Sequence, residues 1–301
     1  MSLFLSWRTV FVQDRLYRRA VRLALGSLSV VGTATLTRIL ASQGREEQDG
    51  TADYRLFSQR TWNPNHLFDA LLPTALGHCP GRGPLVIALD DTRLRKTGKH
   101  IVTAGWHRDP LSPVFHTNLQ WGLRFLAGSL LLPLYRESKS PPRALPLRFT
   151  DIPPVKKPGQ RASDEERQQF QEQQKQHNLS TYAVTMARSL RTALDEAGVP
   201  HRTALLVGDN SFCNRRVLRA EWDRVTWLVR ARQDAVLCFR ALAGGRRIYA
   251  KERFTPESVR QDKERSWKQT RIWHAGKHRL VRYKEVLWRT GTQQRSLRLI
   301  V

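Results

Sequence analysis

The chain has 301 residues, with 51 Lys and Arg against 26 Asp and Glu, a formal net charge of +25. At 40% apolar and 26% charged residues it can bury a core, which excludes collagen-like, low-complexity and wholly disordered chains. A field of that sign points to a polyanionic partner, nucleic acid or an anionic membrane surface, because counterions released from phosphates drive association.

At the N-terminus, MSLFLSWRTVFVQDRL has Arg8 and Asp14 among its apolar residues and lacks the basic start and cleavage site of a signal peptide. Residues 9–42 carry apolar positions at helical spacing (Val10, Leu16, Val21, Leu25, Leu28) with Arg15, Arg18, Arg19 and Arg22 among them, and Gly26 and Gly32 are expected to split this run into two helices. After the polar segment 44–53, Phe57, Trp62, Leu67, Phe68, Leu71 and Leu72 predict a further helical group. Residues 1–80 thus read as a helical module, either a packing cap or a DNA-contacting unit.

The Gly- and Pro-rich turn at 78–84 leads into Leu85–Leu89, a buried strand that is expected to end on Asp90-Asp91. Further strands are predicted at 100–104 and 114–135, the second with His116, Asn118 and Gln120 alternating on one face. The apolar stretch 123–135 is interrupted by Arg124 and is too short to span a bilayer, which removes the membrane option. The proline-rich stretch 139–162 predicts a loop. From Ser163 a helix is expected: Ser163-x-x-Glu166 is a capping box, and Gly198 and Pro200 end the run. A second buried strand, Ala204–Gly208, ends on Asp209, followed by a short helix at about 213–222, a strand at 225–230 and basic, Trp-containing segments to the end. Three widely spaced cysteines without Cys-x-x-Cys fit neither a disulfide framework nor a zinc ribbon and point to a reduced, cytosolic protein. The charge is uneven: residues 210–301 hold 23 basic and 8 acidic groups, +15 of the total.

Two buried strands each ending on a carboxylate suggest a site, since open α/β sheets build sites at the carboxyl ends of strands. Asp90 and Asp209, brought together, would repel unless a cation sat between them, and hard oxygen ligands suit Mg²⁺ or Mn²⁺. Two ions about 4 Å apart are the usual device for phosphoryl transfer. Each aspartate alone reads equally as a turn or helix cap. Lys96 and Lys99, just after the first aspartate, are candidate phosphate contacts. In the tail, Trp267, Lys268, Arg271 and Trp288 combine backbone neutralisation with aromatic stacking and are candidate DNA contacts.

The segments Asp90-Asp91-Thr92-Arg93-Leu94-Arg95-Lys96-Thr97-Gly98-Lys99, Phe115-His116-Thr117-Asn118-Leu119-Gln120-Trp121-Gly122 and Leu205-Leu206-Val207-Gly208-Asp209-Asn210-Ser211-Phe212 resemble the DDE transposases of bacterial insertion sequences. The resemblance covers roughly residues 55–301. It implies an α/β, ribonuclease H-like mixed sheet with helices over 81–224, a basic β-rich insertion over 225–294 and a returning core strand from 295. In that family an Asp-x-Thr aspartate on the first strand, here Asp90 with Asp91 as runner-up, and an aspartate after the fourth strand, here Asp209, hold two Mg²⁺ or Mn²⁺ ions. A third carboxylate, a glutamate on a later helix in Tyr-x2-Arg-x3-Glu-x6-Lys, has no convincing match. Glu264 after Arg260 and Glu285 are the nearest imitations, so the chain reads as ending before that ligand. The implied partners are double-stranded transposon-end and target DNA, bound by a homodimer in the cytoplasm at the nucleoid. The rival reading is a non-catalytic DNA-binding protein or transposase remnant.

Overall fold

The structure is a computed structural model. It describes residues 2–59, 61–109, 111–113, 115, 116, 118–133, 142–241, 249–274, 277–289 and 296–300; the side chains of 2, 3, 240, 273, 274, 288, 289 and 296 are outside the description. The chain divides into two compact units, Met1–Gly77 and His78–Val301.

The first unit is helical: α1 (Ser2–Leu5), a 3₁₀ turn (Ser6–Val10), α2 (Asp14–Ser29), α3 (Leu36–Ala41), α4 (Thr51–Ser58) and α5 (Pro64–Leu76). Its core joins Phe11, Leu23, Ile39, Leu40 and Leu56. Gly26 does not break α2. It lies buried within the helix, where a Cβ would stand 2.9 Å from Ile39 Cγ2, while the break falls after Ser29 and Gly32 takes φ +85°. Buried Asp53 accepts from Arg22 and lies 3.2 Å from Arg19, so part of the arginine cluster of α2 is spent on internal pairing.

The second unit is built on a mixed sheet of β1 (Leu85–Arg95), β2 (Gly105–Arg108), β3 (Leu119–Leu132), β4 (Arg143–Asp151), β5 (Ala204–Gly208) and β6 (Val225–Val229). The order is β2-β3-β1-β5-β6, with β4 also on β3; β1 runs antiparallel to β3 and parallel to β5, and β5 parallel to β6. Between β4 and β5 the chain forms α6 (Asp164–Gln176) and α7 (Leu179–Glu196), and between β5 and β6 a 3₁₀ turn (Asn210–Phe212) and α8 (Arg215–Arg219). This is the α/β, ribonuclease H-like arrangement. The expected capping box is present, Glu166 N–H donating to Ser163 Oγ and Ser163 N–H to Glu166. The single helix expected from Ser163 is instead two, because Asn178 ends α6 and caps α7 by accepting from Thr181 N–H.

α7 covers one face of the sheet: Leu190 and Met186 lie against Gly128, and Leu85, Ile87, Leu89, Leu126, Leu130, Ala204 and Leu206 are buried. On the other face Val86, Ala88, Leu205 and Val207 are half-buried and Thr226 and Leu228 exposed.

Beyond β6 lie β7 (Leu237–Arg240), β8 (Tyr249–Phe254), α9 (Pro256–Gln261), β9 (Lys268–His274), β10 (Lys277–Tyr283), β11 (Glu285–Arg289) and β12 (Ser296–Ile300). β12-β11-β7-β8 form a four-stranded sheet with its own core of Leu237, Phe254, Val259, Val286 and Leu299; β9 and β10 form a separate two-stranded ribbon.

Four expectations are corrected. β4 is a core strand inside the segment 139–162 expected to be a loop, since its edge position on β3 tolerates Pro146 at a register shift. β6, assigned to the insertion, extends the core sheet. β12, expected to return to the core sheet, pairs antiparallel with β11. Residues 100–104 form a turn before β2, and β3 starts only at Leu119, which leaves His116 and Asn118 in the preceding loop and no polar strand face.

Candidate active site

β1 does not stop at Asp90; it continues five residues further as an antiparallel partner of β3. Its parallel pairing with β5 does stop, at Ala88 opposite Val207. Asp90 and Asp209 each lie two residues past that last pair, Asp90 still on β1 and Asp209 just after the end of β5, near enough for the charge of Asp209 to act on Asp90. Alternation along β1 puts Asp90 on the sheet face that α7 does not cover, and Asp209 is exposed just past the end of β5. The sequence therefore builds the pair from one device, two strands whose polar residues begin at the same level.

Asp90 reaches solvent, yet partial desolvation against the sheet raises its carboxyl above the ordinary carboxylate range. The bond donated by Asp91 N–H to Oδ1 (2.9 Å) opposes this, and the charges of Asp91 and Asp209 reinforce it. Asp209 is also a cap: its carboxylate accepts from Ser211 N–H at 2.9 Å and from Ser211 Oγ at 3.2 Å. The cap and site readings hold together, because a cap fixes the carboxylate in orientation while leaving lone pairs open. Gly208 positions it, since a Cβ there would stand 2.6 Å from the ring of fully buried Phe212.

Asp91 points to the opposite face, as successive strand residues must. It accepts from Arg124 Nε at 2.8 Å and lies 3.5 Å from Arg93, with 13% of its side chain exposed. Half-buried His107 sits beside both guanidiniums; burial, then Arg124 and Arg93, lower its pKa, and its Nε2 is enclosed without a hydrogen-bond partner. These residues form a closed structural network. Sequence reasoning missed its purpose, although Arg124 interrupting an apolar strand was the available signal, since a cation there demands a carboxylate.

Two neighbouring exposed carboxylates, one of them disfavoured as an anion by desolvation and then by the charges of Asp91 and Asp209, make a donor set that fits a hard divalent cation. Among the described residues no group of three or more His, Cys, Asp or Glu is assembled for a metal. A family model for DDE superfamily endonucleases matches residues 12–295. The chain belongs to that family. No curated protein gives a significant match. Membership makes the chain a nuclease-type enzyme by family, one whose chemistry typically relies on divalent metal ions. In this DDE endonuclease Asp90, Asp209 and the uncovered face between them are the candidate centre.

The remaining predicted residues are dispersed around the DDE endonuclease core. Lys96 and Lys99 are exposed just past the end of β1. Trp267 is 43% exposed and carries the Lys284 ammonium over its ring at 4.6 Å, so one stacking face is occupied. Buried Lys284 in turn donates to the Arg260 and Asp262 carbonyls at the end of α9. Lys268 is paired with Glu285 at 3.1 Å, and Arg271 is exposed on β9. Trp288 lies on β11 with its side chain outside the described residues. Neither imitation of a third carboxylate joins the pair. Glu264 follows α9 in a turn, Arg260 is bound to Glu257, whose carboxyl it pulls down to about 2, and Glu285 is committed to Lys268. Among the described residues no helix is long and apolar enough to cross a membrane.

Proposed function

We propose that the chain is a DNA transposase of the insertion-sequence type, cutting a phosphodiester at transposon ends and joining the freed 3′-hydroxyl to target DNA. The observation that carries this reading is the proximity of Asp90 and Asp209 at the end of the β1–β5 ladder, in a chain of the DDE endonuclease family that bears a net charge of +25. Asp90 and Asp209 would hold Mg²⁺ or Mn²⁺, two ions in the full centre. Bound, the metal supplies Lewis-acid stabilisation of charge developing on the phosphate oxygens. The cap on Asp209 keeps that carboxylate oriented, and Lys96 and Lys99 would anchor flanking phosphates. Double-stranded DNA at the nucleoid is the partner, taken up by a homodimer on paired ends.

The test is nicking of supercoiled and end-containing duplex DNA in Mg²⁺ and in Mn²⁺ by the chain, Asp90→Asn and Asp209→Asn. Metal-dependent nicking that falls at least about 100-fold in each variant is expected. The absence of any three-group metal cluster among the described residues favours a second reading, a protein that binds DNA without cutting it. Tight duplex binding with no cleavage in either metal would establish that alternative.

A further inference from the structure

The β9–β10 ribbon stands apart from both sheets, with seven residues in each strand and a length of about 20 Å. Neither strand contains an acid. Arg271, Lys277, Arg279 and Arg282 are all exposed and none has a carboxylate partner among the described residues. The register separates its two faces. Gln269 opposes Arg282 and Arg271 opposes Leu280 on one; Lys268 opposes Tyr283, Thr270 opposes Val281 and Ile272 opposes Arg279 on the other. The second face is tied down at its base, where Val281 and Tyr283 are half-buried and Lys268 is paired with Glu285. On the first, Gln269, Arg271, Leu280 (63%) and Arg282 are exposed.

We propose that this ribbon is a groove-reading arm that sets the sequence preference of the protein for duplex DNA; the inference rests on the DNA reading above and adds the specificity element to it. A two-stranded ribbon fits the major groove, about 12 Å wide. The free face carries the side chains suited to base edges there: arginine forks for guanine O6 and N7, a glutamine amide for adenine, and an apolar group for the thymine methyl. Lys277 and Arg279, farther from the body, are placed for the phosphates that line the groove.

The experiment selects from a random-centre duplex library with the full-length chain. Binding is then measured to the selected duplex, a scrambled duplex and duplex RNA of the selected sequence. The expected result is a defined selected sequence, bound about 10- to 100-fold less tightly by Arg271→Ala and Arg282→Ala, with scrambled-DNA affinity changed far less. Arg271→Lys keeps the charge and loses the fork, so it too loses the preference. Lys277→Ala and Arg279→Ala weaken both duplexes alike. All these side chains are exposed on the ribbon, and thermal melting confirms that the variants are folded. Free-face variants that retain affinity and preference overturn the arm while leaving the DNA reading intact. Wild-type protein that binds no duplex overturns both. Duplex RNA bound as well as DNA overturns groove insertion, because the A-form major groove is too narrow for a ribbon.

Discussion

Asp90 and Asp91 are neighbours with opposite tasks, and the strand period separates them. Asp91 is the counter-charge of Arg124 and Arg93, so Asp91→Asn leaves two partly buried cations without a carboxylate. That change is expected to cost about 1–3 kcal/mol of stability by chemical denaturation. Asp90 has its carboxyl pushed up by desolvation and by two like charges. A carboxylate whose folded pKa is raised destabilises the fold once pH exceeds that of the unfolded chain, so Asp90→Asn should raise the melting temperature at pH 7 and not at pH 3. Added Mg²⁺ should stabilise the wild type and Asp91→Asn, and leave Asp90→Asn unmoved. The reverse pattern would make Asp91 the ligand. His107 gives an independent pH signature. Burial and two guanidiniums lower its pKa, so the unfolded chain takes up the proton first and stability falls as pH drops below about 6.5. His107→Gln should flatten that fall in melting temperature between pH 7 and 5.5.

At the scale of elements, the site depends on how β5 hands over to the turn after it. Gly208→Ala would drive a methyl into Phe212, which is fully buried and must shift, and Asp209 lies between the two. We expect a loss of about 1–3 kcal/mol. Nicking should fall further than stability accounts for, because the carboxylate is displaced; activity that simply tracks folded fraction would show that Gly208 only packs. Elements whose cause is local were legible in sequence. β5 announces itself as Ala204–Gly208, an apolar run with turn residues after it, and α6 as a capping box. Both aspartates were legible for the same reason, as polar residues closing apolar runs. Elements that depend on distant partners were not. β4 contains Pro146 and four polar or charged positions, and it is a strand because β3 offers an edge. The resemblance implies that β12 returns to the core sheet, and only pairing decides that β11 takes it. Trp267, a candidate stacking ring, carries Lys284, 17 residues on, over one face, a contact that the local sequence does not announce.

At the scale of the whole molecule the question is whether the charge acts as a field or through a few placed groups. His78–Val301 holds 42 of the 51 basic residues and 20 of the 26 acids, so +22 of the +25 lies on the unit that carries the aspartate pair and the ribbon. A diffuse field attracts DNA from a distance but releases few counterions; contacts release about 0.9 each. Lys277 and Arg279 on the ribbon with Lys96 and Lys99 would make four phosphate contacts. The logarithm of the duplex binding constant should then fall with the logarithm of salt at a slope of about −3.6, a loss of about 150-fold between 50 and 200 mM. Replacing Lys277 and Arg279 by Ala should reduce the slope by about 2. Replacing Lys156 and Lys157, an equal charge on the exposed loop before α6, should weaken binding slightly at low salt and leave the slope unchanged. If the two double variants change the slope equally, the charge works as a field and the ribbon has no privileged contact with the backbone.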